Sequence, residues 1–257
     1  MSSQAVSSTR AVVGRSLLVS NDSSIVDQLT ASLEQFAISA EVCPDLATAV
    51  TLINTRKFEA VFVDLGLGEH TAAVLECVRL SPSNQNSVTF GLVSTVEEQY
   101  LRVLPNFILR KPLSEHQVGS ILKAALGIVI RDYRRYFRCP VIATALIRIA
   151  GKAQISCEMM NVSEGGMAAA TSVAFSPGAL VKVEFSLPGE PTKFDLEAEV
   201  CWCDHKGHVG LQFQSVPHER NLLLQGWLSR KIEEGIPEPI ARLFRKQTGD
   251  RDLPPLQ

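Results

Sequence analysis

Short apolar runs and longer amphipathic stretches alternate along the first half of the chain. SLLVS, AEVC and AVFVDL are of strand length. Between them, SSIVDQLTASLEQF and DLATAVTLINTR place Ile25, Leu29 and Leu33, then Ala47, Val50 and Ile53, at helical intervals. Asp45 stands where an N-cap would accept the orphan amides of the second helix. VTFGLVS and NFILRKP continue the rhythm, and a helix beginning near Ser114 runs through VGSILKAALGIVIRDY. Strands alternating with helices predict an N-terminal α/β domain over residues 13–128, a doubly wound parallel sheet.

After Tyr136 the period changes from helical to alternating. PVIATALIRIA, AQISCEMMNVS, GMAAATSVAF, ALVKVEFSL, FDLEAEVCWCD and HVGLQFQSV are strand-length segments, separated at Gly151–Lys152, Gly165–Gly166, Pro177–Gly178, Pro188–Gly189 and Lys206–Gly207. Short strands at this spacing predict a small six-stranded all-β barrel over residues 129–235, flanked by a C-terminal helix, HERNLLLQGWLSRKIEEG. Leu196, Ala198, Val200 and Trp202 share one side of the fifth segment, so the barrel interior is expected on the Trp202 side. Leu223, Trp227 and Leu228 form the expected packing face of the helix. Residues 236–257, rich in proline and charge, read as a tail.

Composition narrows the function without naming it. Of 257 residues 46% are hydrophobic and the formal net charge is -2, so a surface built for duplex DNA is excluded and any basic site must be local. The six cysteines lie in apolar or strand-like contexts in a chain too long to need disulfide staples, and no run of about 18 apolar residues occurs. Reduced thiols, a cytoplasmic location and no membrane span are the expectation. Cys201, Cys203, His205 and His208 have the wrong spacing for zinc, and neither a nucleophile elbow, a Walker loop nor a paired-carboxylate site is present. No metal, cofactor or catalysis is expected.

The carboxyl ends of the first-domain strands carry Ser20, Asn21 and Asp22, then Asp64, Ser94 and Lys111. This pattern resembles the receiver domain of two-component response regulators. The resemblance makes Asp64 the candidate phosphoacceptor, with Ser94 and Lys111 as the residues that would contact the phosphoryl group. Receivers place two carboxylates after the first strand to hold Mg²⁺. Here Ser20 and Asn21 stand instead, and Asp22 falls one residue late. A pseudo-receiver serving as an interaction or dimerisation platform is therefore expected, the alternative being a phosphorylation-dependent response regulator whose second half is a docking output.

RDYRRYFRCP, residues 131–140, gathers four arginines ahead of the first barrel strand, and NVSEGG, residues 161–166, closes the second strand. Arg134-x-x-x-Arg138 and Asn161-x-Ser163-x-x-Gly166, with GLQF at 210–213, resemble the signatures of PilZ domains, receptors for cyclic di-GMP. Arg131-x-x-x-Arg135 has the same spacing and keeps Arg135 among the candidates.

The resemblance implies that Arg134, Arg135 and Arg138, on a flexible approach, meet Asn161, Ser163 and Gly166 at one site. The chemistry suits a cyclic dinucleotide, because arginine forks onto a guanine edge, pairs with phosphate and stacks on a ring. Asn161 can pair with guanine, Ser163 can hold a phosphate or cap the backbone, and the two glycines are expected to take positive φ and admit the ligand closely. The residue before the first motif arginine, Tyr133, leaves open whether one or two ligands bind. The reading is a cyclic di-GMP effector in which ligand orders residues 129–139 and reorients the halves. Its downstream protein partner is unspecified, and single-stranded nucleic acid is the third option.

Overall fold

The structure, a computed structural model, describes residues 12–68, 70–94, 104–149, 154–236, 238, 240–242 and 245. Most of the Ser-rich lead, the Gly151–Lys152 turn and most of the tail lie outside these residues. The described residues fall into two compact units, one running to Tyr133 and resuming at Ile232, the other spanning Arg134–Lys231.

The first unit is built on a five-stranded parallel sheet of order β2-β1-β3-β4-β5. Its strands are β1 (Gly14–Val19), β2 (Ile38–Cys43), β3 (Ala60–Asp64), β4 (Val88–Val93) and β5 (Phe107–Arg110). Every residue of β3 and β4 is buried, which is why these strands read as continuous apolar runs: helices cover both faces. Phe62 and Phe90 stack at 4.2 Å across that central pair. The helices are α1 (Ser23–Gln35), α2 (Leu46–Thr55), α3 (Thr71–Leu80) and α4 (Glu115–Tyr136). Their starts follow cap chemistry. Asp22 accepts from Ser24 N–H at 3.0 Å, Asp45 from Thr48 N–H at 2.8 Å and Ser114 Oγ from Gln117 N–H at 3.2 Å.

α4 continues through residues expected to form a flexible approach. Its buried face runs on through Val129, Ile130 and Asp132, so Arg131–Tyr136 are held in helix and only Phe137 and Arg138 separate it from the barrel. Glu59, buried at the start of β3, accepts the Arg15 N–H at 2.6 Å. Burial pushes its carboxyl above the ordinary glutamate range, the Arg15 hydrogen bond and the charge of Lys57 opposing and that of Asp132 adding. A raised carboxyl gives stability that is full below the unfolded-state value and lost as pH climbs through the folded one. Glu59→Gln, which keeps the acceptor, should therefore stabilise the first unit at about pH 8 and lose that advantage near about pH 4, checked by urea unfolding of both proteins. An advantage independent of pH would contradict this.

The second unit is a closed antiparallel barrel of order β10-β11-β8-β7-β6-β9. Its strands are β6 (Cys139–Arg148), β7 (Ile155–Ser163), β8 (Gly166–Ala170), β9 (Leu180–Ser186), β10 (Lys193–Cys203) and β11 (His208–Ser215). Gly178, Gly189 and Gly207 take positive φ at three of the turns. The third segment ends sooner than its composition suggests, at Ala170, because Thr171 Oγ1 accepts from Val173 N–H at 3.1 Å and turns the chain. Phe185, Phe194 and Phe213 stack within the core.

α5 (His218–Gly235) docks on this core through Leu224, Trp227 and Leu228, and Trp227 Nε1 donates to the Pro188 carbonyl at 3.0 Å. Leu223, expected on the packing face, is exposed; the face is registered one residue later, on Leu224. Beyond α5, Arg245 pairs with Glu233 at 2.9 Å and Glu238 at 3.0 Å, and Ile240 and Ala241 are buried.

Candidate functional site

Asp64, 3% exposed at the end of β3, is joined to two of its expected neighbours. Lys111 Nζ lies 2.6 Å from Oδ1, Ser20 Oγ donates to Oδ2 at 3.0 Å, and the Gly66 N–H donates to Oδ1 at 3.0 Å. Ser94 stands just past β4 and is exposed. The group does not fit Mg²⁺. The Ser20 hydroxyl donates to Asp64 rather than adding charge, and the Asp22 carboxylate faces the α1 amides as their cap. Among the described residues no cluster of His, Cys, Asp and Glu could hold a metal ion.

A second site lies on the barrel unit. A cavity of about 330 Å³ is lined by Arg135, Tyr136 and Arg138 from the end of α4 and the residues after it. Ser163, Gly165 and Gly166 come from the β7–β8 turn, and Trp202 and Gly210 from β10 and β11. Phe137, between the cationic residues, packs against the barrel core.

The indole of Trp202 is a departure from the expected pattern. Alternation along β10 holds through Val200, and then the ladder slips: Val200 pairs with Leu211 but Trp202 with Gly210, leaving Cys201 as an extra residue. Trp202 is consequently 44% exposed and faces the cavity, not the barrel interior. Gly210 makes room for it, since a Cβ there would overlap the indole. The sequence carried one signal of this, a glycine inside a strand, GLQF, which marks a bulge or a close approach.

The family model for the PilZ domain matches residues 132–230. Residues 132–230 form a PilZ domain. A search of curated proteins finds no match to the chain. Among solved structures, the receiver domain of a sensor histidine kinase from Pseudomonas aeruginosa PAO1 is 18% identical, with 44% of this chain and 98% of that one covered at a TM-score of 0.40. A CheY-like receiver domain from Methylobacillus flagellatus is 21% identical over 43% and 96%, with a TM-score of 0.38. The PilZ domain of CeSA from a cellulose synthesizing bacterium is 18% identical over 35% and 97%, with a TM-score of 0.30.

A PilZ domain implies the role of a cyclic di-GMP-binding effector. Within the PilZ domain the motif residues separate into two groups. Arg135, Arg138, Ser163 and Gly166 line the cavity, whereas Arg134, half-buried, and Asn161 do not. Arg134 is displaced from Arg135 by one helical step of about 100°. Asn161 sits in the ladder opposite Pro140 and Ala168, with Oδ1 buried and without a hydrogen-bond partner among the described residues.

Ser163 acts as a cap: its buried Oγ donates to the Gly166 carbonyl at 3.1 Å. Neither Gly165 nor Gly166 takes the positive φ expected of them. Gly166 is required for a different reason, because a Cβ there would overlap the Leu211 carbonyl oxygen of the neighbouring strand. The Gly165 carbonyl accepts from Phe213 N–H at 2.9 Å and the Glu164 carboxylate from Gln225 of α5 at 3.3 Å, so the turn is fastened on both sides. No helix of the described residues is long and apolar enough to cross a membrane.

Proposed function

We propose that this cavity binds cyclic di-GMP, and that binding changes the arrangement of the PilZ barrel with the receiver-like domain. The observation that carries the reading is the convergence of two guanidinium groups, the capped β7–β8 turn and an exposed indole on one cavity. Arg135 and Arg138 meet the phosphates and a guanine edge, Trp202 offers a face on which a purine stacks, and Gly165, where a Cβ would meet open space, keeps the backbone open to the ligand. Asn161, with an unpaired oxygen near the turn, pairs with guanine after a local adjustment. Ligand fixes Phe137 and Arg138, the two residues between α4 and β6, and through them the relation of the halves. The first domain, lacking the carboxylates that would hold Mg²⁺, serves as the interaction half, and cyclic di-GMP is the partner that governs it.

Calorimetric titration with cyclic di-GMP tests this, with tryptophan emission as a second readout. The chain has two tryptophans, and Trp227 is buried in the helix–barrel contact. The emission change on binding should therefore come from Trp202 and vanish in Trp202→Phe, with affinity weakened about tenfold through the smaller stacking face. Small-angle scattering with and without ligand reads the rearrangement. A wild-type titration without heat or emission change would remove the reading.

A further inference from the structure

The outward face of β11 carries an amide that the fold hardly uses. Gly210 and Gln212, two residues apart, lie on the same side of the strand, opposite the buried Val209, Leu211 and Phe213. The indole of Trp202 covers Gly210, and Gln212 stands about 7 Å further along the strand, lining the same cavity. Gly166, its partner on β8, contributes no side chain, and Glu199, its partner on β10, is engaged by Gln214 Nε2 at 2.9 Å. Gln212 itself makes one side-chain hydrogen bond among the described residues: the Cys201 thiol donates to Oε1 at 3.6 Å. A thiol is a weak donor and a carbonyl oxygen has two lone pairs, so Oε1 keeps acceptor capacity.

A guanine has two edges with opposite needs. Its O6 and N7 accept hydrogen bonds, while its N1–H and exocyclic amino group donate them. Arg135 and Arg138 are donors only, so they can satisfy the first edge and not the second. The Ser163 hydroxyl and the Gly165 carbonyl are already engaged within the turn, the one donating to the Gly166 carbonyl at 3.1 Å and the other accepting from the Phe213 N–H at 2.9 Å. Apart from the Tyr136 hydroxyl, on the segment that carries the arginines, Gln212 Oε1 is the strong side-chain acceptor left in the lining, and it shares the barrel wall with the indole. A guanine lying on Trp202 would bury its amino group unpaired unless Gln212 received it, and an unpaired buried donor is costly.

We infer that Gln212 is a specificity-determining residue of this cavity: its Oε1 accepts from the exocyclic amino group of the guanine stacked on Trp202. The inference rests on the cyclic di-GMP reading and deepens it, because it names the atom that separates guanine from purines without that amino group. The ligand replaces a thiol, a poor donor, with a better one.

The test titrates the full chain with cyclic di-GMP and with cyclic di-IMP, whose hypoxanthine bases lack only the amino group. Wild type, Gln212→Leu and Gln212→Glu are compared, each also melted without ligand. Wild type should prefer cyclic di-GMP, and Gln212→Leu should narrow that preference about fivefold, the worth of one net hydrogen bond, with no loss in melting temperature. Gln212→Glu keeps an acceptor and should keep the preference, since any repulsion from its charge falls equally on two ligands with the same phosphates. A merely structural side chain would weaken both ligands alike. If wild type binds but shows no preference, or if Gln212→Leu keeps the preference, or if Gln212→Glu loses it as Gln212→Leu does, the role of Gln212 is overturned and the ligand reading stands. Absence of cyclic di-GMP binding by wild type overturns both.

Discussion

Arg138→Ala should reduce the affinity for cyclic di-GMP by about a hundredfold or more, measured by calorimetry against wild type at the same salt concentration. The magnitude follows from the number of contacts one guanidinium makes. A fork onto a guanine edge is worth about 1–3 kcal/mol, and a charge-assisted bond to phosphate adds to it. Arg138 is the member of the arginine cluster that both spacing and geometry select, because it ends the motif and lines the cavity. It is also exposed and outside regular structure, so its removal leaves the fold intact and the effect is one of binding alone. The first partner is decided by comparing two further variants. Arg135→Ala should cost more than Arg134→Ala, since Arg135 faces the cavity from its turn of α4 and Arg134 is half-buried outside the lining. Equal affinity of Arg138→Ala and wild type would remove the cavity as the nucleotide site.

Gly166→Ala should destabilise the barrel by about 3 kcal/mol and weaken ligand binding with it. The added methyl would overlap a backbone carbonyl, that of Leu211 on β11, and not the flexible end of a side chain. Relief therefore requires β8 and β11 to separate at the point where Gly166 pairs with Gln212. The same displacement would strain the Phe213 N–H bond to the Gly165 carbonyl and the Ser163 cap, both of which shape the turn beside the cavity. Gly165→Ala is the control, because a Cβ there meets open space and φ is not positive. Urea unfolding of the three proteins checks the difference, and a Gly166→Ala protein as stable as Gly165→Ala would refute the argument.

Much of this was legible in the pattern of apolar residues. The buried strands β3 and β4 announced themselves as unbroken apolar runs, and Asp45 and Ser114 marked helix starts by cap chemistry that depends only on neighbours in sequence. The barrel was legible from its turns, where glycine serves the positive φ at positions 178, 189 and 207. Trp202 was not, because strand alternation assumes a regular ladder and the extra residue at Cys201 reverses the faces beyond it. The choice among Arg134, Arg135 and Arg138 was equally hidden. Motif spacing counts residues, while presentation depends on how far α4 extends, and the helix runs on to Tyr136. Gly166 was recognised for the wrong cause, since a close approach between strands is a tertiary fact that no local turn rule contains.

The closed order of the barrel, β10-β11-β8-β7-β6-β9, has a consequence for how the proposed site would be tuned. A ring with no free edge resists sliding of any one strand, so the indole and the capped turn form an anvil whose shape is indifferent to the setting of the segment that carries Arg135 and Arg138. Selection would then adjust sensitivity by stiffening or loosening that segment alone, leaving the surface proposed to discriminate one nucleotide from another unaltered.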